Sequence, residues 1–183
     1  MNRDRALSLI REKVKNENLI KHMLATEAIM RTLAGHFGED ADLWGLAGLV
    51  HDLDYDQTIK NPKQHGRIGA LMLEGAGYDP LIVQAVLAHS PHYDQPRTSR
   101  LDRSLFAADP LTGLIVAAAL IHPQKKLAAL DTPFILKRFQ EKWFAKGASR
   151  EHIRTCEEVS LSLEEFIDLG LKAMQEIAPE LGL

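Results

Sequence analysis

The sequence predicts an all-α protein, and three observations carry that reading. Apolar residues recur at helical spacing in almost every segment. No stretch alternates apolar and polar residues over the length of a strand. Asn16, Gly38, Gly75, Gly77 and the pair Asp79-Pro80 stand where helix caps and stops belong. With 183 residues, 45% of them hydrophobic and 26% charged, the chain can bury a sizeable core within one domain. That mix excludes intrinsic disorder, collagen-like repeats and a disulfide-stapled mini-protein. The expected organisation is a single all-α domain over residues 1–183.

The elements follow in order. Residues 2–14 place Leu7, Ile10 and Val14 at helical spacing with charges on the other face. Asn16 caps a second helix, expected to reach about His36 and stop near Gly38. A third, about 40–53, opens on acidic residues, as the helix dipole prefers, and ends in His51-Asp52. The polar stretch 55–62 reads as a loop. Helices are expected at about 63–75 and 79–89, the second opened by Asp79-Pro80. Residues 89–97 form a Pro-broken loop. A long apolar helix covers about 99–121, and Pro110 inside it predicts a kink or break. Beyond His122-Pro123 come a basic loop, a short helix near 133–144, and helices near 149–158 and 162–178.

The net charge of -3 argues against general nucleic-acid binding, which needs a basic surface to neutralise phosphates. Aromatic residues at 6% offer few platforms for stacking single strands. Residues 149–183 hold 8 acids against 3 bases, and residues 1–148 hold 17 against 19. A small anionic ligand is therefore expected on the first four-fifths of the chain. The single cysteine, Cys156, has no internal disulfide partner. The longest apolar run, 114–121, falls far short of the roughly 20 residues that span a bilayer. The N-terminal MNRDRALSLIREKVK carries charges throughout and no apolar signal core. A cytoplasmic protein without a membrane partner is the expectation.

The chain holds eight histidines, and their positions carry the functional reading. His22 shares a helical stripe with Leu19, Ala25, Thr26, Ile29 and Leu33. His51 and Asp52 end the stripe of Leu43, Leu46, Ala47 and Val50. His65 is followed at helical spacing by Ile68, Gly69 and Met72, and His89 closes the stripe of Ile82, Ala85 and Val86. Asp109 lies among Leu105, Phe106, Gly113 and Val116. Each puts a titratable group on the side expected to face the core. Two carboxylates and four imidazoles cannot be buried unpaired. A shared cation resolves this, and imidazole with carboxylate suits a first-row transition metal such as Mn, Fe, Co, Ni or Zn. Gly45, Gly48 and Gly69 would let helix backbones approach nearby. A plainer reading stands beside this one. A lone histidine on an apolar face is usually a hydrogen-bonded core residue, His-Asp arises by chance, and Asp109 before Pro110 could organise a helix start.

The order of these residues resembles the HD superfamily of metal-dependent phosphohydrolases. The match is His22 in ENLIKHMLATEA, His51-Asp52 in LAGLVHDLDYD and Asp109 in LFAADPLTGL. His65 in KQHGRIGA and His89 in AVLAHSP look like the second-metal ligands of the dinuclear subgroups. The resemblance covers about residues 17–122, leaving 123–183 as a helical extension, and its wording is closest to uncharacterised bacterial HDIG-type proteins. It implies that one or two divalent transition-metal ions bind here: His22, His51, Asp52 and Asp109 hold the first, and His65 and His89, with Asp52 bridging, the second. It also implies hydrolysis of a phosphoester, a small nucleotide or phosphorylated metabolite, by a hydroxide held on the metal. The chain departs from the family in places. It reads His51-Asp52-Leu53-Asp54-Tyr55, so the lysine of HDIGK is absent. The HHExxDGxGYP wording of the cyclic-dinucleotide phosphodiesterases is absent too, as are the longer motif sets of the large nucleotide triphosphohydrolases and stringent-response enzymes. Two other readings fit the resemblance: a non-catalytic nucleotide- or protein-binding module with a structural metal, and a di-iron oxygenase, since some HD-fold proteins with extra histidines are oxygenases.

Residues around this set are candidates for the chemistry. Asp54 or Asp56 could serve as general acid or base on a metal-activated water, alongside Asp52, or the two could form a solvated turn or helix cap. Tyr55 could contact substrate or close over the core. Lys60, Lys63 and Arg67 flank His65 and could meet phosphate oxygens, with surface solvation as the alternative. Arg97, Arg100 and Arg103 form a second basic cluster, and His92 is a possible extra ligand. His36, His122 and His152 have no partner in the pattern. Cys156, beside Ile153 and Val159, reads as a buried, inert thiol. The acidic last helices either pack over the core or mediate a homo-oligomer.

Overall fold

The computed structural model describes residues 2–92 and 95–183, and among these there is no strand. In chain order the helices are α1 (Arg3–Lys13), α2 (Glu17–Phe37), α3 (Ala41–Val50) and a short α4 (Tyr55–Thr58). Then come α5 (Arg67–Gly75), α6 (Pro80–His89) and the long α7 (Arg100–Ile121). The last are α8 (Thr132–Gln140), α9 (Arg150–Arg154), α10 (Leu163–Glu176) and α11 (Ala178–Leu181).

Local chemistry sets most boundaries. The Asn16 side chain accepts from the backbone N–H groups of Asn18 and Leu19, and Gly38 ends α2 in the left-handed conformation at φ 71°. Asp40 caps α3, and Asp79 caps α6 ahead of Pro80. Ser99 and Asp102 form a reciprocal capping box that starts α7; Ser162 and Glu165 do the same for α10.

Three expectations need correction. The stretch 55–62 is not all loop, because Tyr55–Thr58 closes one helical turn and Pro62–Gln64 a 3-10 turn. The helix expected over 63–75 is broken at His65, which is extended, and at Gly66, whose φ is +81°. Pro110 does not break α7, which runs through it as one helix. Packing against α2, α6, α8, α9 and α10 holds α7 together despite the N–H that Pro110 lacks. Residues 93 and 94 of the expected loop after His89 lie outside the described residues.

Helix α2 packs against α3, α7 and α10, and α7 packs also against α6. The α2–α3 approach is close enough to demand glycine: a Cβ on Gly48 would lie 2.8 Å from the Thr26 carbonyl oxygen. A single hydrophobic cluster runs from Ala6 in α1 to Leu181 in α11. The acidic C-terminal segment packs on the core through α10. It buries Phe166, Ile167, Leu171 and Met174, and Gly170 lies where a Cβ would meet Leu111 at 2.7 Å. In length and hydropathy α7 would suit a membrane crossing, yet most of it is enclosed by these neighbours.

Candidate metal centre

Six of the sequence-predicted residues meet in one place. His22 comes from the middle of α2, His51 caps the C-terminus of α3 with Asp52 next to it, and His89 ends α6. Asp109 comes from mid-α7, and His65 from the break before α5. Helix ends thus supply four of the six groups, where side chains of neighbouring residues can turn toward one point.

The Asp52 carboxylate divides the cluster. Its Oδ2 lies 3.5 Å from Nε2 of both His22 and His51, while Oδ1 lies 3.3 Å from His65 Nε2 and 3.6 Å from His89 Nε2. On the first side, His22 Nε2 is 3.1 Å from His51 Nε2 and 3.2 Å from Asp109 Oδ1. On the second, the Nε2 atoms of His65 and His89 are 3.1 Å apart.

The outer ring nitrogens fix which atom carries the proton. His51 Nδ1 donates to the Gly48 carbonyl and His89 Nδ1 to the Val86 carbonyl. The Thr112 hydroxyl gives its own proton to the Asp109 carbonyl, 2.8 Å away, so its lone pair accepts from His22 Nδ1, also at 2.8 Å. His65 Nδ1 donates to Asp54 Oδ1 at 2.8 Å. With every Nδ1–H committed outward, the neutral rings turn bare Nε2 lone pairs inward. Two such lone pairs 3.1 Å apart repel unless a proton or a metal cation lies between them. The residues therefore fit a metal, and four imidazoles with two carboxylates match first-row transition ions. The ligand atoms of His22, His51 and Asp109 lie within 4.8 Å of one another, as do those of His51, Asp52 and His89.

The carboxylates and imidazoles of the cluster shift one another's titration. Burial alone would raise the Asp52 pKa, but the imidazoles of His51, His89 and His22 outweigh it and hold the carboxyl below its usual range. Asp109 is likewise held low, burial being outweighed by His22. Burial pushes His51 down to about 4, keeping it a neutral ligand. Burial also opposes protonation of His22 and His89, where the carboxylates of Asp109 and Asp52 prevail and raise both.

Several candidates take other places. Asp54 is buried, and its Oδ2 accepts from the backbone N–H groups of Gly66 and Gly69 while Oδ1 holds His65. It caps α5 and orients a ring, so the expectation of a general acid or base is corrected. Asp56 accepts from the Lys15 backbone N–H at 2.8 Å and ties the α1–α2 turn down instead of facing the cluster. Tyr55 stands edge-on to His65 with centroids 5.5 Å apart, half-exposed. Lys60, Lys63 and Arg67 are exposed, and Arg67 lines a groove with Leu71, Glu74 and Val83 between α5 and α6, not the cluster. Arg100 pairs with Glu39, and Arg103 donates to the Arg97 carbonyl. His92 is exposed. Cys156 is buried, its thiol pushed up to about 11 by that burial.

Sequence reasoning missed Thr112, although its i+3 spacing from Asp109 puts both on one face of α7. It also missed the surroundings of His152. That ring packs on Phe106, centroids 4.3 Å apart, and the Arg97 guanidinium lies 3.9 Å above the same Phe106. Phe106 is one helical turn before Asp109, so Arg97 and His152 stand beside the cluster. Burial lowers the His152 pKa, with the charge of Asp109 opposing.

The HD domain family matches residues 19–114, a span that contains all six cluster residues. The chain belongs to the HD domain family. A Ribonuclease Y of Staphylococcus epidermidis is 31% identical over 156 residues, covering 84% of this chain and 29% of that protein. One from Chloroflexus aurantiacus is 29% identical over 140 residues, 74% of this chain and 27% of the relative. One from Nitratidesulfovibrio vulgaris is 32% identical over 100 residues, 54% of this chain and 18% of the relative. The chain thus spans less than a third of the length of these relatives. Residues beyond 114, His152 among them, lie outside the HD match.

Proposed function

We propose that this HD domain is a metal-dependent hydrolase of a small phosphoester, with two divalent ions held by the His/Asp cluster. The observation that carries the reading is the split Asp52 carboxylate, one oxygen toward each pair of bare Nε2 atoms. His22, His51, Asp52 and Asp109 would hold one ion, and His65, His89 and Asp52 the other. Such ions supply a water made nucleophilic at neutral pH and a Lewis acid for the phosphoryl oxygens.

The chain's own residues do the rest. The side chains of His22 and Asp109 are 23% and 34% exposed, whereas His51 and His89 are almost fully enclosed. Substrate would therefore approach across the α2–α7 side. Arg97, over Phe106 one turn before Asp109, is the cation best placed to offset charge on phosphoryl oxygens. Thr112 and Asp54 keep His22 and His65 turned inward. The relatives' name, Ribonuclease Y, makes RNA a substrate to test. The net charge of -3 favours a small phosphorylated molecule over a polynucleotide, and the cytoplasm is the setting proposed for the reaction.

The experiment is elemental analysis of wild type and Asp52→Ala, purified without chelator, alongside a phosphoester screen with manganese, iron or nickel. Two equivalents in wild type, fewer than one in the variant, and turnover lost with them are expected. An Asp52→Ala protein with full metal and full turnover would sink the reading.

A further inference from the structure

We infer that the groove between α2 and α7 beside the metal cluster binds the aliphatic alcohol portion of the substrate, making the natural substrate an alkyl or prenyl-type phosphoester and not a nucleotide. This inference rests on the proposed hydrolase reading and adds to it the class of leaving group.

The groove is a cavity of about 470 Å³ whose wall includes His22 and Thr112, so it adjoins the cluster along the outer edge of the His22 ring. That size falls within the range of small-molecule sites. Its two long walls are helical faces. On α2, Ala25 lies one turn beyond Lys21 and His22; on α7, Gly113, Val116 and Leu120 continue the face that carries Asp109. From Thr112 to Leu120 the α7 wall rises about 12 Å, away from the cluster. Leu181 and Leu183 close the far side.

The chemistry of this wall is selective. Nucleobases are held by stacking on aromatic rings or guanidinium planes and by hydrogen bonds to their edges. Among the described residues the groove has no Phe, Tyr, Trp or Arg. The Thr112 hydroxyl is already committed to His22 and the Asp109 carbonyl. Asn18 lies one turn before His22 on α2, and Lys21 sets its Nζ at the far side, 3.2 Å from where a Cβ on Gly182 would stand. What remains is aliphatic, and Leu120 stays 52% exposed, a cost that a bound alkyl chain would remove.

The test uses the full chain and non-hydrolysable methyl-, butyl- and octylphosphonate, with adenosine monophosphate as comparison. Binding is measured by calorimetry with manganese and again after chelation. Affinity should rise about fourfold per methylene, the equivalent of about 0.8 kcal/mol, and manganese should raise the affinity of the whole series without altering that slope. Gly113→Leu should flatten the slope, since a side chain at Gly113 enters open space with nothing within 4 Å; helix propensity favours its folding, and a melting curve checks it. Leu120→Asp, at a half-exposed site, should flatten it independently. A flat slope in wild type with manganese-dependent phosphonate binding would overturn the groove assignment and leave the hydrolase reading standing. Tighter binding of adenosine monophosphate than of octylphosphonate would also overturn it. A slope with no manganese dependence would remove the hydrolase reading and this inference with it.

Discussion

The four inward rings differ in what holds their outer nitrogen. His51 and His89 each donate to a carbonyl three residues back, Gly48 and Val86, in the last turn of their own helices. Those carbonyls have no onward helical partner, so the helix end itself sets the ring. His22 and His65 depend on side chains from elsewhere, Thr112 and Asp54. Only these two orientations can be undone by side-chain substitution. Asp54→Asn should weaken metal binding at the His65–His89 pair by about 10–100-fold, because an amide cannot offer acceptors to His65 and both glycine N–H groups at once. Metal titration should then show one site near its wild-type affinity and one weakened; two unchanged sites would refute the positioning role.

At the scale of elements, the cluster depends on how near α2 and α3 come, since they carry His22 and His51. Gly48 marks that approach. Gly48→Ala should destabilise the fold by about 1–3 kcal/mol, because its methyl would press on backbone at Thr26 that cannot rotate aside. Gly35, also on α2, has nothing within 4 Å of its missing Cβ. Gly35→Ala should be neutral or stabilise by up to about 1 kcal/mol. Urea unfolding of the two variants measures the contrast, and equal effects would mean that the close approach does not limit packing. The Asp54 carboxylate works at this scale too. By taking the Gly66 and Gly69 N–H groups it starts α5 where His65 can turn to the cluster instead of continuing a helix.

Across the whole molecule, ligand atoms gathered from five segments face one centre only in the folded chain, so metal should stabilise the fold. A ligand at a thousandfold over its Kd adds about 4 kcal/mol, worth roughly 8–16 °C in Tm for a chain of this size. Thermal unfolding with manganese and then with chelator should show that shift, and Asp52→Ala should show little of it. Identical Tm values in wild type with and without metal would argue against binding at the cluster. Helix α10 shares the core with α2 and α7, so residues beyond the HD match contribute to the same folded unit.

The helical stripes, the Asn16 and Asp79 caps, and the order His22, His51-Asp52, His65, His89, Asp109 were all legible in the sequence, because helix periodicity and capping are local and the pattern of ligand types survives without coordinates. So was the sharing of Asp52 between two groups, though only as a resemblance implied it. The roles of Asp54 and Asp56 were not legible. Two acids two residues apart look alike in sequence, and only the position of Gly66, Gly69 and Lys15 separates a buried cap from a turn tie. The continuity of α7 through Pro110 was likewise decided by neighbours packed on both sides of it, against the local preference of proline. The groove beside His22 needed α2, α7 and Leu181–Leu183 to meet, residues far apart along the chain. Sequence determined which groups could do chemistry; tertiary structure decided which nitrogen carries each proton, which carboxylate faces the centre and what lies beside it.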